Sequence, residues 1–196
     1  MDQTDPLAKL HPSDWEFRFR SGRLCLDFIA TVGDREHMPF DRWRHEGDFG
    51  RWCAETGLLA SPIAIGSAEF ASARRLREAL YRLVTLGLAQ ETPDPADLRL
   101  VNAAALKPAL IPQLTAIGQA HAWTAPAPFD AVLATVSRDA IDLLSSPALA
   151  RVRKCADGHC SILFLDTSRP GKRRWCAMNG CGNKVKKAAY RKRHKA

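Results

Sequence analysis

Residues 154–184 read KCADGHCSILFLDTSRPGKRRWCAMNGCGNK, and the four cysteines among them decide how the C-terminal end folds. Cys155 and Cys160 have four residues between them, Cys176 and Cys181 have four again, and 15 residues separate the pairs. A spacer that short lets one tight turn deliver two thiolates to a single ion. Zinc takes four such soft ligands at tetrahedral corners, with Zn–S about 2.3 Å. Gly158 and Gly180 lie inside the spacers, where a knuckle is expected to need positive φ. The pattern therefore predicts one structural zinc per chain on Cys155, Cys160, Cys176 and Cys181. Two disulfides, four unrelated thiols, or His159 in place of Cys160 are the competing readings. Four sulfurs leave no open position for substrate, so a catalytic zinc is not expected.

Between the pairs, Ile162 to Leu165 and Arg173 to Trp175 read as strands joined through the turn dipeptide Pro170-Gly171. After Cys181 the composition turns helical, with Val185, Ala188 and Ala189 as a small apolar stripe. Knuckle, hairpin, second knuckle and helix is the order of a treble-clef finger, whose last ligand pair starts the helix. Helix-end N–H groups and nearby cations offset the charge of zinc held by four thiolates.

Charge separates this end from the rest. From residue 151 to 196 there are 14 Lys plus Arg against two acids, Asp157 and Asp166, a balance of +12. The remaining 15 basic and 19 acidic residues leave positions 1–150 at −4. A mildly acidic body with a basic end points to a polyanionic partner for the end alone. On the last helix Lys184, Lys187, Arg191 and Lys195 share a face, and Lys186, Tyr190 and Arg193 form a neighbouring stripe. With Lys172, Arg173 and Arg174 they are candidate phosphate donors, and double-stranded DNA is the expected partner. RNA is the alternative, with Tyr190 or Trp175 stacking on unpaired bases, although Trp175 reads better as core. A protein-interaction finger is the third reading. A treble-clef nuclease needs a histidine base and a further metal, and only His159 and His194 are at hand. No enzyme and no catalytic residue are expected.

Upstream, the chain reads as a mainly helical domain over residues 1–147, with the finger over 148–196 and the boundary near Pro147. Hydrophobic residues at 46% and charged residues at 26% exclude wholesale disorder. No apolar run nears the roughly 18 residues of a membrane helix, and the N-terminus lacks signal-peptide character, so a cytoplasmic protein is expected. Trp15 to Arg20 alternates as a strand does; Leu24 to Val32 fits helix or strand, with helix preferred; Gly33 to Gly47 reads as a loop. Asp48 is placed as the cap of a helix that buries Phe49, Trp52 and Cys53 and ends at Gly57. The strongest helix runs from Ser67 to Ala89, and Asp94-Pro95 opens another. Two short strands are expected around Gly118 within 113–124, then a helix from Phe129 to Leu144. The predicted core is Leu26, Phe28, Trp52, Leu76, Leu80, Leu83, Leu98 and Val136, with Cys25 and Cys53 as buried thiols. No phosphate loop, G-x-S-x-G or H-E-x-x-H occurs, and Asp34, Glu36, His37, Asp41 and His45 read as loop surface rather than a metal cluster.

The stretch from Trp175 to Lys184, WCAMNGCGNK, resembles the signature of CGNR zinc fingers, with Lys184 where that signature has Arg. The change keeps the charge and loses the bidentate fork. Phe164 to Ser168 also fits that family's hairpin, and Gly22 to Phe28 with Thr31 resembles the opening of the ABATE domain that usually precedes such a finger. The resemblance implies a stress-induced transcription regulator: a helical sensor-like domain, able to take a small hydrophobic effector, followed by a DNA-binding treble clef.

Overall fold

The computed structural model describes residues 6–114, 116–117 and 122–194. In chain order its elements are α1 (Leu24–Ile29), the antiparallel strands β1 (Val32–Gly33) and β2 (Phe40–Asp41), α2 (Glu46–Glu55), α3 (Ser67–Ala89) and α4 (Pro95–Ala105). There follow the antiparallel pair β3 (Ile111–Gln113) and β4 (Ala122–Thr124), α5 (Pro128–Leu144), the antiparallel pair β5 (Val152–Lys154) and β6 (Leu163–Leu165), and α6 (Asn183–Arg193). Helices dominate, short hairpins punctuate them, and a four-cysteine finger with a terminal helix closes the chain, as expected. The chain forms two compact units. One runs from Trp43 to Leu149; the other joins the segment ending at Arg42 to the segment starting at Ala150.

In the unit from Trp43 to Leu149, α3 occupies the stretch its periodicity predicts and buries Phe70, Leu76, Leu80, Leu83 and Val84. Helix α5 buries Val132, Val136, Ala140 and Leu143, and α4 packs on both α3 and α5. Trp43 lies edge-on to Phe49 at 5.3 Å and to Trp52 at 6.1 Å, while the buried Arg77 guanidinium covers its ring at 4.9 Å. Arg82 forks onto Asp97 at 2.7 and 2.6 Å, tying α3 to α4, and Asp94 caps α4 through the N–H of Ala96.

Two expectations change here. Leu98 is 41% exposed: α4 buries Asp97 and Val101 instead, because Asp97 is turned in to meet Arg82 and the neighbouring position faces out. Asp48 is not the cap residue of α2, which starts two residues earlier. Its carboxylate accepts from the backbone N–H groups of Arg44 and His45 at 2.9 and 3.2 Å. Gly57, at φ +75°, follows α2 as expected. The strands β3 and β4 flank position 118; Gly118 itself lies outside the described residues.

In the other unit, α1 forms as preferred and buries Cys25, Leu26, Phe28 and Ile29. Trp15 to Arg20 makes no strand: at its end the N–H groups of Arg20 and Ser21 both bond Asp27 Oδ1 at 3.0 Å instead of a neighbouring strand. The stretch read as one loop, Gly33 to Gly47, contributes to the β1–β2 hairpin and to the start of α2. Ser21 then accepts the N–H of Leu165 at 2.7 Å, so the N-terminal segment continues the edge of the β5–β6 hairpin.

Candidate metal centre

Strand β5 ends one residue before Cys155, whose N–H bonds Ile162 O at 3.0 Å and prolongs the pairing with β6. The N–H of Cys160 bonds Asp157 O at 2.8 Å and closes the turn. The first cysteine pair thus sits in the loop of one hairpin. Its strands are not those expected: β6 pairs with β5, and Arg173 to Trp175 form no strand. The reason is Asp166, which has no solvent exposure. Its Oδ1 accepts from the Ser168 N–H at 2.9 Å and hydroxyl at 2.6 Å, and its Oδ2 from the Arg173 N–H at 2.9 Å. These bonds, the Ser168 hydroxyl foremost, push its carboxyl down to about 2 and bend the chain out of the sheet.

That bend returns Arg174 to the first knuckle, where its carbonyl accepts the Ala156 N–H at 2.8 Å. Cys176 follows, its N–H 3.5 Å from Cys155 Sγ. Cys181 comes from a wide turn, Met178–Gly182, that runs directly into α6. Neither spacer glycine has positive φ; the positive-φ glycine of this segment is Gly171, in the Pro170-Gly171 turn. Gly180 instead lies under the end of the Arg20 side chain: a Cβ there would be 2.8 Å from Arg20 Nη1, a contact the flexible guanidinium can relieve.

The sulfurs converge as the spacing predicts. Cys160 Sγ is 3.8 Å from Cys176 Sγ, Cys176 Sγ is 3.7 Å from Cys181 Sγ, and all four lie within 4.8 Å of one another. A tetrahedron with Zn–S near 2.3 Å has edges of about 3.8 Å. The donor set suits one structural zinc ion, and no disulfide links any of the four. Among the described residues this is the one group of three or more His, Cys, Asp or Glu that could hold a metal. Four thiolates this close would repel one another. A dication removes that conflict by stabilising all four as thiolates. Ala30, Ile162 and Phe164 bury Cys155, Cys176 and Cys181, with Trp175 packed alongside.

The candidate phosphate donors divide. Lys172 and Arg174 are exposed, and the Arg174 guanidinium rests 5.1 Å from the Trp175 ring centroid. Arg173 turns inward: Nε donates to Trp175 O at 2.9 Å, Nη2 to Cys176 O, and the guanidinium covers Phe164. On α6, Lys184, Lys186, Lys187 and Arg191 are exposed, with Lys184 3.9 Å from Asp157. The side chain of Arg193 and all of Lys195 lie outside the described residues. Val185 is half-buried but Ala188 is exposed, so the expected apolar stripe is narrower than its composition suggests. Sequence reasoning missed Asp166, Arg20 and the Ser21 edge. The signal for Asp166 was present: only two acids interrupt the basic end, and both are buried.

Residues 22–147 match the family model ABATE, described as "Putative stress-induced transcription regulator". Residues 151–194 match that of the CGNR zinc finger. No curated protein matches the chain.

Proposed function

The chain belongs to the ABATE family and carries a CGNR zinc finger at its C-terminal end, and from this premise we propose that it regulates transcription by binding double-stranded DNA through α6. The carrying observation is the exposed face of Lys184, Lys187 and Arg191 on a helix whose first turn follows directly from the ligand Cys181. The zinc fixes where the helix starts, and the three cations lie on one side of it, the arrangement that meets a phosphate backbone. Lys172, Arg174 and Lys186 extend the donor surface, and Arg193 belongs to the same reading.

In this scheme residues 1–147 sense and residues 148–196 contact DNA, in the response to stress that the family description names. A groove of about 360 Å³, lined by Ile63, Ala64, Ala127, Pro128 and Phe129 together with the acids Glu69 and Asp130, supports a small, largely hydrophobic effector in the first part. The four-sulfur shell supports a structural role for the metal and no enzymatic one: His194 is already stacked on Tyr190 at 4.0 Å and bonded to its carbonyl. No helix among the described residues is long and apolar enough to cross a membrane. Six unbridged cysteines fit a reducing, cytoplasmic compartment.

The test is DNA binding against salt. Each phosphate contact adds about 0.9 to the log–log slope, so replacing Lys184, Lys187 and Arg191 by Ala lowers the slope by roughly 2–3 units, with zinc content unchanged. An unchanged slope moves the interface off α6. Tyr190, 57% exposed, favours RNA as the second reading, and tight RNA binding without duplex binding would decide for it.

A further inference from the structure

A zinc dication held by four thiolates leaves two negative charges uncancelled, and among apolar neighbours that excess calls for cations close by. The residues that bury the cysteines, Ala30, Ile162 and Phe164, supply none. Two guanidiniums of the same compact unit approach the centre instead. Arg173 belongs to the finger and donates to the carbonyl of Cys176. Arg42 comes from far upstream and shares with Cys160 and Cys181 the wall of a cleft of about 430 Å³. We propose that Arg42 is the counter-charge of the metal centre on its open side, a positioning residue that keeps Cys160 bound to zinc as a thiolate.

Arg42 is only 4% exposed and is fixed in place. Its Nε donates to Glu16 O and its Nη1 to Ala30 O, both at 2.9 Å, and its guanidinium covers the Phe40 ring at 4.8 Å. Ala30 itself packs in the cysteine cluster, so the bond that anchors the guanidinium also sets it beside the centre. These acceptors are neutral carbonyls and cancel no charge. The acids of the cleft have partners of their own: Asp14 meets Arg18 and Asp34 meets His37, each at 3.0 Å, and Asp157 faces Lys184 at 3.9 Å. Burial and the charge of Arg18 pull the Arg42 guanidinium down to about 10, against the opposing charges of Asp14, Cys160 and Asp41. A buried cation and a sulfur-bound negative centre on one cleft wall stabilise each other.

The four sulfurs differ in access. Cys155, Cys176 and Cys181 are buried, whereas Cys160 is partly exposed and also borders a second cleft, where Lys154 is engaged by Glu36. Chelators and electrophiles therefore meet Cys160 first, and a cation beside it lowers the reactivity of the most accessible thiolate. Arg42 lies in the stretch matched by ABATE and the four ligands in the stretch matched by the finger. Both matched stretches thus hold one metal centre.

The zinc-loaded full chain is treated with iodoacetamide, whose neutrality removes any steering by charge, and separately with a chromophoric chelator. Labelled cysteines are located by mass spectrometry. Cys160 is expected to be alkylated first, and Arg42→Gln to raise both its alkylation rate and the rate of zinc loss roughly tenfold. Arg42→Lys keeps the charge and loses the fork, and is expected to restore most of the wild-type rates. Should Arg42→Gln not fold, Met38→Glu puts a competing carboxylate into the same cleft with Arg42 in place. It is expected to quicken both rates, and the uncharged Met38→Gln to leave them as they are. The proposal is overturned if folded Arg42→Gln reacts as wild type does, or if Arg42→Lys loses zinc as fast as Arg42→Gln, since hydrogen bonds and not charge would then matter. Equal labelling of all four ligands in Arg42→Gln, or equal rates in Met38→Glu and Met38→Gln, would overturn it as well.

Discussion

Asp166 Oδ2 holds the backbone N–H of Arg173 at 2.9 Å, and the Arg173 side chain in turn donates to the carbonyl of the ligand Cys176. A buried carboxylate in the basic end thus sets the third zinc ligand through one intermediary. Asp166→Asn keeps the shape and loses the charge, and its zinc is expected to leave roughly tenfold faster in a chelator competition. The pH dependence has a definite sign. The folded carboxyl is lowered to about 2 from 3.8, so its stabilisation is complete above pH 3.8 and disappears as pH falls through about 2. The difference in denaturant midpoint between wild type and Asp166→Asn should be flat above that window and narrow within it.

Zinc removal should act on one compact unit. Cys25 and Cys53 are both fully buried, but Cys25 belongs to the unit with the finger and Cys53 to the unit from Trp43 to Leu149. Burial also pushes the Cys53 thiol up to about 12. Chelation, or Cys176→Ser, is expected to expose Cys25 to a thiol reagent while Cys53 stays protected and most helical circular dichroism persists. Equal labelling of both would show that the two units unfold together.

Arg173 and Arg174 are adjacent and should fail differently. Arg174→Ala removes an exposed cation and is expected to lower the salt slope of DNA binding by about 0.9. Arg173→Ala removes bonds to the carbonyls of Trp175 and Cys176, so metal retention drops first. Parallel salt titrations and zinc assays on the two variants separate the roles.

In the helical unit, Leu80→Ala empties a fully buried site on α3 and should cost roughly 2–5 kcal/mol in denaturant unfolding. Leu98→Ala, at an exposed position of α4, should cost under about 1 kcal/mol. Comparable losses at both would mean that Leu98 is covered in solution.

By itself the sequence determined what local rules govern. Paired cysteines at four-residue spacers specify a metal site because a tight turn needs nothing distant to bring two thiols together. The periodicity of α3, and the Asp94-Pro95 start of α4, were legible because a helix bonds within itself. Tertiary structure decided whatever required a partner far along the chain. Arg173 to Trp175 has the composition of a strand, yet β6 pairs with β5, because Asp166 bends the chain away. Trp15 to Arg20 alternates as a strand would, but Asp27 takes the N–H groups of Arg20 and Ser21. The grouping of the segment ending at Arg42 with the finger belongs to the same class, because Leu165 finds its acceptor in Ser21, 144 residues earlier, and no local pattern encodes that distance.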